Sequence, residues 1–235
     1  MSILAIDSST EVSSVAVLRE GRLAAELTMQ ARFTHSETLL PHIRQALSMA
    51  AVKKENLDAI AVSIGPGSFT GLRIGLATAK AMAYALGLPL VGVPTLRALA
   101  WHFPVEGLQL LPMMDAQKGN AYMERYAWVQ GELRRESSMA VLPVPEILQR
   151  AGALQEPVLL LGDVPGKRIE GKLDLPEHVK IAPIHLRMPR AANVALCGME
   201  LLREGKAGNP MVMEPIYVRR SEAGDLWEKR HGSHG

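Results

Sequence analysis

Cysteine occurs once in the 235 residues, at Cys197. No disulfide can therefore close within the chain, and a reducing compartment suits it. Ala195-Leu196 and Gly198-Met199 flank this residue in what reads as a packed helix, so it is a core thiol rather than a nucleophile. Aromatic residues make up 4% of the chain, and 26 basic against 24 acidic residues leave a net charge of only +2. A protein whose sole task is gripping nucleic acid needs Lys and Arg for phosphates and rings for base stacking, so composition argues against that class. No apolar run approaches the roughly 20 residues of a membrane helix. The opening Met1-Ser2-Ile3-Leu4-Ala5-Ile6-Asp7 lacks the basic segment and long apolar stretch of a secretory signal, and the expected location is the cytoplasm. Several catalytic signatures are also missing: a phosphate loop ending in Lys-Ser or Lys-Thr, G-x-G-x-x-G, H-E-x-x-H and G-x-S-x-G. There is no short-period repeat and no low-complexity tract.

What remains is ample for a folded protein. Hydrophobic residues are 48% of the chain, enough for one large domain or two small ones. In the first hundred residues, strands are predicted at 3–6, 12–18 and 23–29, joined by hairpin-like turns such as Glu20-Gly21-Arg22. A helix follows over 34–51, opened by a capping box in which Thr34 and Glu37 satisfy each other's backbone N–H groups. Leu39, Leu40, Ile43, Leu47 and Ala50 recur along it at helical spacing, although Pro41 interrupts the pattern. A strand at 59–64, a helix at 69–86 and a strand at 90–93 complete this half. The order β-β-β-α-β-α-β, with Asp7 ending the first strand, is how a ribonuclease-H-like domain begins, and the actin-like ATPases use two such domains. The second half offers strand candidates at 108–115, 121–129, 133–142 and 158–161, with helices at 146–151 and 192–203. Pro143, Pro145, Pro157, Pro165, Pro176 and Pro183 punctuate it into loops, and a second, degraded copy of the first domain is plausible without being legible.

Two segments carry the chemistry. Asp7-Ser8-Ser9-Thr10 can place a carboxylate beside a nucleotide-bound metal, with hydroxyls around the phosphates; on pattern alone the commoner reading is a strand-ending Asx/Ser turn. Gly65-Pro66-Gly67-Ser68-Phe69-Thr70-Gly71-Leu72-Arg73 joins a strand to a helix N-terminus. Its backbone N–H groups can cradle an anion, or Gly65 and Gly67 can serve a tight turn with Ser68 or Thr70 as N-cap. The helix that follows contains Gly71, Gly75 and five alternating alanines. Each internal glycine costs about 1 kcal/mol against alanine, so something packs closely there: the helix's own sheet or another molecule. His35 and His42 share a helix face, but seven residues is too wide for a zinc pair. Asp115-Ala116-Gln117-Lys118-Gly119 reads as a hairpin turn, or as a contact to phosphate or RNA.

Together, Ile3-Leu4-Ala5-Ile6-Asp7-Ser8-Ser9-Thr10, His35-Ser36-Glu37, the Gly65–Arg73 block, Met114-Asp115-Ala116 and Pro215-Ile216-Tyr217-Val218-Arg219 resemble the bacterial TsaB (YeaZ) family. The resemblance spans most of the chain, and the Gly65–Arg73 block is its most specific part. It implies an α/β actin-like ATPase fold of two mixed-sheet subdomains with flanking helices: residues 1–103 carrying the dimerisation helices, 104–223 degenerate, and 224–235 a loose tail. It implies a part in making threonylcarbamoyladenosine beside the tRNA anticodon, as a non-catalytic partner of the transferase TsaD. TsaE would join through that pair, tRNA would be met through the complex, and the chain alone would form a homodimer. No cofactor or metal is expected. In TsaD the segment after a strand like Leu90-Val91-Gly92-Val93 supplies two metal-binding histidines, and here Thr95 and Leu99 stand in their places. Asp7, Ser8, Ser9 and Thr10 are then at most a vestigial nucleotide site, with Leu161-Gly162-Asp163 the nearest second phosphate motif. Gly65, Gly67 and Gly71 shape the loop. The expected partner interface is Leu39 and Ile43 of the first helix with Leu72, Arg73, Leu76, Lys80 and Tyr84 of the second. The rival is an active ATP-dependent, kinase-like enzyme of the same superfamily, which needs a second catalytic carboxylate that the sequence does not display.

Overall fold

The structure is a computed structural model that describes residues 1–30 and 35–216. The first three strands, β1 (Ser2–Asp7), β2 (Val12–Arg19) and β3 (Arg22–Gln30), form an antiparallel meander whose first two strands are buried on both faces. Helix α1 (His35–Met49) leads to β4 (Ala59–Gly65), which lies parallel to β1. Helix α2 (Phe69–Leu86) leads to β5 (Leu90–Pro94), parallel to β4. The first sheet therefore has the order β3-β2-β1-β4-β5. Alternation along β1 separates its two faces. Leu4 and Ile6 join Leu39, Ile43 and Ala46 of α1 and Leu76, Ala79 and Ala83 of α2 in one core. Ile3 and Ala5 belong to a second core on the opposite face.

A short helix after Pro94, α3 (Thr95–Ala100), connects the halves and was not foreseen in the sequence. Six residues are too few to display a helical period, but they suffice to join two cores. Ala98 packs with the first sheet, whereas Leu96, Leu99 and Ala100 pack with the second.

The second half comprises β6 (Gln109–Asp115), β7 (Asn120–Met123), β8 (Tyr126–Val129), β9 (Glu132–Arg135), β10 (Ala140–Pro143), α4 (Val144–Gly152), β11 (Val158–Leu161) and β12 (Val179–Ile181). Its main path is β10-β7-β6-β11-β12, antiparallel on one side of β6 and parallel on the other. The first sheet's order is thus repeated, with β6 in the place of β1. The copy is reduced where a counterpart of α2 would stand: the π-helical turn Pro165–Ile169 follows β11 instead. The predicted strands 121–129 and 133–142 are each split, at 124–125 and at 136–139. β7 and β8 nevertheless keep a single register on β6.

The last helix, α5 (Ala191–Arg203), belongs by chain position to the second half but packs on the first sheet, opposite α1 and α2. The approach is close, since a Cβ on Gly198 would lie 2.6 Å from the Ala61 methyl. Cys197 is buried in this contact, and burial raises its thiol pKa well above the ordinary value, as suits a core thiol. Residues 208–216 then run back along β5: Gly208 N–H bonds Leu90 O and Ile216 N–H bonds Ile64 O. The expected tail 224–235 and Thr34 of the capping box lie outside the described residues. No helix among the described residues is long and apolar enough to cross a membrane.

Candidate functional site

Asp7 ends the central strand of the first sheet and is fully buried, as are Ser8 and Ser9, while Thr10 is 6% exposed. Its carboxylate is engaged locally. Oδ1 accepts from Ser9 N–H at 3.0 Å and from Ser9 O–H at 2.9 Å. Oδ2 accepts from the hydroxyl of Ser63 on β4. Thr10 Oγ1 accepts from Val12 N–H at 3.0 Å.

The glycine block is the lid over this turn. Gly65 adopts φ +106°, a conformation that favours glycine. Ser68, not Thr70, is the N-cap of α2, and its hydroxyl accepts from Gly71 N–H at 3.2 Å. Ser68 N–H donates to Ser9 O at 2.7 Å, and Ser8 O–H donates to Gly71 O at 2.8 Å. Contact is so close that a Cβ on Gly67 would sit 2.2 Å from Ser9 O, and one on Gly75 would sit 2.1 Å from Ser8 Oγ. Of the loop's backbone donors, Ser68 N–H is spent on the 8–10 turn and Gly71 N–H on the Ser68 cap. The small residues of α2 therefore serve its own subdomain at Gly75.

In this structure Asp7, Ser8, Ser9 and Thr10, expected at most as a vestigial nucleotide site, form a buried Asx turn bonded within itself, to Ser63 of β4 and to the lid. The equivalent end of the second sheet's central strand carries Asp115, and residues 115–119 form the expected hairpin turn. Arg168 pairs with Asp115 at 2.9 Å, and Asp163 Oδ1 accepts Asp115 N–H at 3.1 Å. Across the mouth between the halves, Lys167 reaches Asp163 at 3.2 Å and Glu11 at 3.5 Å. Burial opposes its charge, but the two carboxylates outweigh that and raise its pKa. Sequence reasoning missed Lys167 because its partners lie 4 and 156 residues away.

The expected interface also needs correction. Leu39 (1% exposed), Ile43 (4%), Leu72 (1%) and Leu76 (4%) point into the subdomain's own core, so no partner can reach them. Lys80 donates to the carbonyls of Met211 and Met213 at 3.2 and 3.1 Å, and so holds the returning segment rather than standing ready for a partner. Arg73 and Tyr84 do face outward, and Tyr84 is 76% exposed. Exposed Phe69 and Leu40 were missed, and the Arg73 guanidinium stacks 3.8 Å above the Phe69 ring. A signal for the faces did exist. Gly71, Gly75, Ala79 and Ala83 recur every four residues and mark the buried seam, so Phe69, Arg73, Ala77 and Tyr84 lie opposite it.

Thr95 and Leu99 are both fully buried. Among the described residues, no group of three or more His, Cys, Asp or Glu is placed to hold a metal ion. His42 lies buried against the first core, and the side chain of His35 is outside the described residues.

A family model described as TsaD, tRNA N6-adenosine threonylcarbamoyltransferase, matches residues 29–164. The tRNA threonylcarbamoyladenosine biosynthesis protein TsaB of Bacillus subtilis is 31% identical over 233 residues, covering 97% of this chain and 98% of that protein. Its Escherichia coli counterpart of the same description is 29% identical over 236 residues, covering 99% of each. The solved structure of YeaZ from Pseudomonas aeruginosa superposes with a TM-score of 0.77 at 30% identity, covering 92% of this chain and 99% of that one. With near-full-length similarity in sequence and in fold, the chain belongs to the TsaB (YeaZ) family.

Proposed function

We propose that this chain serves the formation of threonylcarbamoyladenosine in tRNA as a non-catalytic subunit that docks a TsaD-type transferase through the outer faces of α1 and α2. The observation that carries this reading is the exposed stripe of Phe69, Arg73 and Tyr84 on α2, and α1 adds an exposed Leu40. Aromatic and arginine side chains on a rigid helix make effective anchors in protein interfaces. A second copy of the chain competes for the same stripe, which gives a homodimer when the transferase is absent. TsaE enters through the assembled pair, and tRNA is met in the complex.

The sealed turn at Asp7 supports a non-catalytic role. A kinase-like enzyme needs that carboxylate turned toward a nucleotide-bound metal, and here Ser9 and Ser63 hold it. The test is light scattering coupled to size exclusion, on the chain alone and mixed with the TsaD-type transferase of the same organism, with magnesium and ATP. A homodimer that gives way to a mixed complex, with no ATP turnover by the chain alone, is the expected result. Failure to form the complex, or magnesium-dependent turnover by the isolated chain, overturns the proposal.

A further inference from the structure

The paired breaks in the second sheet open a half-enclosed cavity of about 250 Å³, on the face covered by α4. At the break, Arg125 O accepts the N–H groups of Glu136 and Ser137, and Arg125 N–H donates to Ser137 Oγ at 3.0 Å. The two strands thereby part by a few residues without losing each other. Leu111, Met123, Ala140, Ala151 and Leu154 give the cavity an apolar floor and walls. Arg125, Arg150, Ser137 and Ser138 provide the polar part of its lining.

The two arginines differ in their charge balance. Arg150 is paired with Glu146 at 2.7 Å, one helical turn away on α4. Arg125 forms no ion pair among the described residues, and its Nε is buried without a hydrogen-bond partner. The nearest acid in sequence, Glu124, is already taken: it accepts from the Tyr126 hydroxyl at 2.6 Å and pairs with Arg135 at 3.5 Å. Arg125 thus brings to the lining of a largely apolar cavity a guanidinium with no counter-charge among the described residues. A short hydrocarbon chain laid against the apolar walls gains by leaving water. Cavity and cation together define an amphipathic occupant.

We propose that this cavity is a binding site for a small amphipathic carboxylate, its head on Arg125 and the Ser137–Ser138 hydroxyls and its short apolar chain against Leu111, Met123 and Leu154. The site lies on the second subdomain, on elements other than α1 and α2, so occupancy is independent of partner docking. The probe is octanoate, with octanamide as its neutral match, titrated into the intact chain and followed by melting temperature and by the NMR shift of the Met123 methyl group. Octanoate should bind saturably, raise the melting temperature and shift Met123. It should bind at least about tenfold more tightly than octanamide, the margin of one charge-assisted hydrogen bond. Arg125→Met should abolish the preference for the anion, and Ala140→Leu should block both probes by filling the cavity. Non-saturable binding, equal affinity for the two probes, or saturation without a Met123 shift overturns the proposal. Because the wild-type comparison alone decides between these results, a variant that fails to fold does not rescue the idea.

Discussion

At the scale of single residues, two glycines control how closely the 8–10 turn and α2 approach. At Gly67 the obstacle to a side chain is the Ser9 carbonyl, backbone that cannot rotate away. Gly67→Ala must force the lid off the turn, and overpacking of this kind typically costs about 1–3 kcal/mol. A loss near the middle of that range lowers the melting temperature by about 4–8 °C in a chain of this size. Gly75 differs, because its obstacle is the Ser8 hydroxyl. Gly75→Ala gains about 1 kcal/mol of helix propensity, but it must displace Ser8 Oγ from Gly71 O. Adding Ser8→Ala removes the obstruction, so the double variant should be more stable than Gly75→Ala alone. Urea unfolding of the four proteins measures that coupling, and simple additivity would show that the contact is not tight. A third residue sets a pH response. His102 Nδ1 bonds Leu99 O, its Nε2 is buried without a partner, and burial, aided by the charge of Arg190, lowers its pKa from 6.5 to about 4. The folded protein thus holds it neutral where the unfolded chain takes up a proton. Its contribution is complete above pH 6.5 and is lost as pH falls from 6.5 toward 4, by at most about 1.4 kcal/mol per pH unit. His102→Gln should therefore destabilise the chain more at pH 7.5 than at pH 5, and a gap that does not change with pH would refute the assignment.

At the scale of elements, helix α2 has a seam and a face, and neighbouring leucines illustrate why the two are easily confused. Leu72 and Leu76 sit one position beyond Gly71 and Gly75, within the same buried arc, while Arg73 and Tyr84 lie opposite. The alanine-rich sequence made the helix itself plain and its orientation obscure, since alanine tolerates either side of a boundary. Two substitutions on this helix should separate folding from assembly. Leu76→Asp buries an unpaired carboxylate in the first core and should unfold the chain or lower its melting temperature by more than 10 °C, roughly the effect of several kcal/mol. Tyr84→Asp, at a residue 76% exposed, should leave the melting temperature nearly unchanged. It should weaken self-association or binding of a TsaD-type transferase by a factor of about 30, the equivalent of 2 kcal/mol. Circular dichroism and light scattering on the two variants check both parts, and undiminished association of Tyr84→Asp would move the interface off this stripe. The 8–10 turn tells a similar story. Its residues were recognisable, but the decision between a phosphate loop and a sealed turn rests on Ser63, which lies 56 residues from Asp7.

At the scale of the whole molecule, the same sheet order occurs twice, and only the first copy was legible. Its strands are unbroken, mostly apolar runs and its helices are long, whereas the second copy has split strands, replaces one helix by a five-residue turn and is divided by prolines. The two copies are joined on one side by α3, which shares its residues between two cores, and α5 returns from the second half to the first sheet. These contacts combine an apolar core with buried and part-buried polar links, among them Arg97 to Glu200 and Ala191 N–H to Ser14 Oγ. At the mouth, where the central strands end in Asp7 and Asp115, the described link is polar: Lys167 between Asp163 of one half and Glu11 of the other. Lys167 and Glu11 are 51% and 70% exposed, so the pair adds under about 1 kcal/mol to stability. Its consequence lies in motion, because a hinge held by packing at one end opens most easily at the other. Lys167→Met should leave the melting temperature within a few degrees of the parent. It should nevertheless speed amide hydrogen exchange in segments 8–12 and 162–170, while exchange in α5 is unaltered. Glu11→Gln removes the cross-mouth partner but leaves Lys167 with Asp163, so it should reproduce the effect in 8–12 with a smaller change in 162–170. Uniformly faster exchange would mean that the lysine merely stabilises the fold. Unchanged exchange at the mouth would mean that the apolar contacts alone keep the halves together.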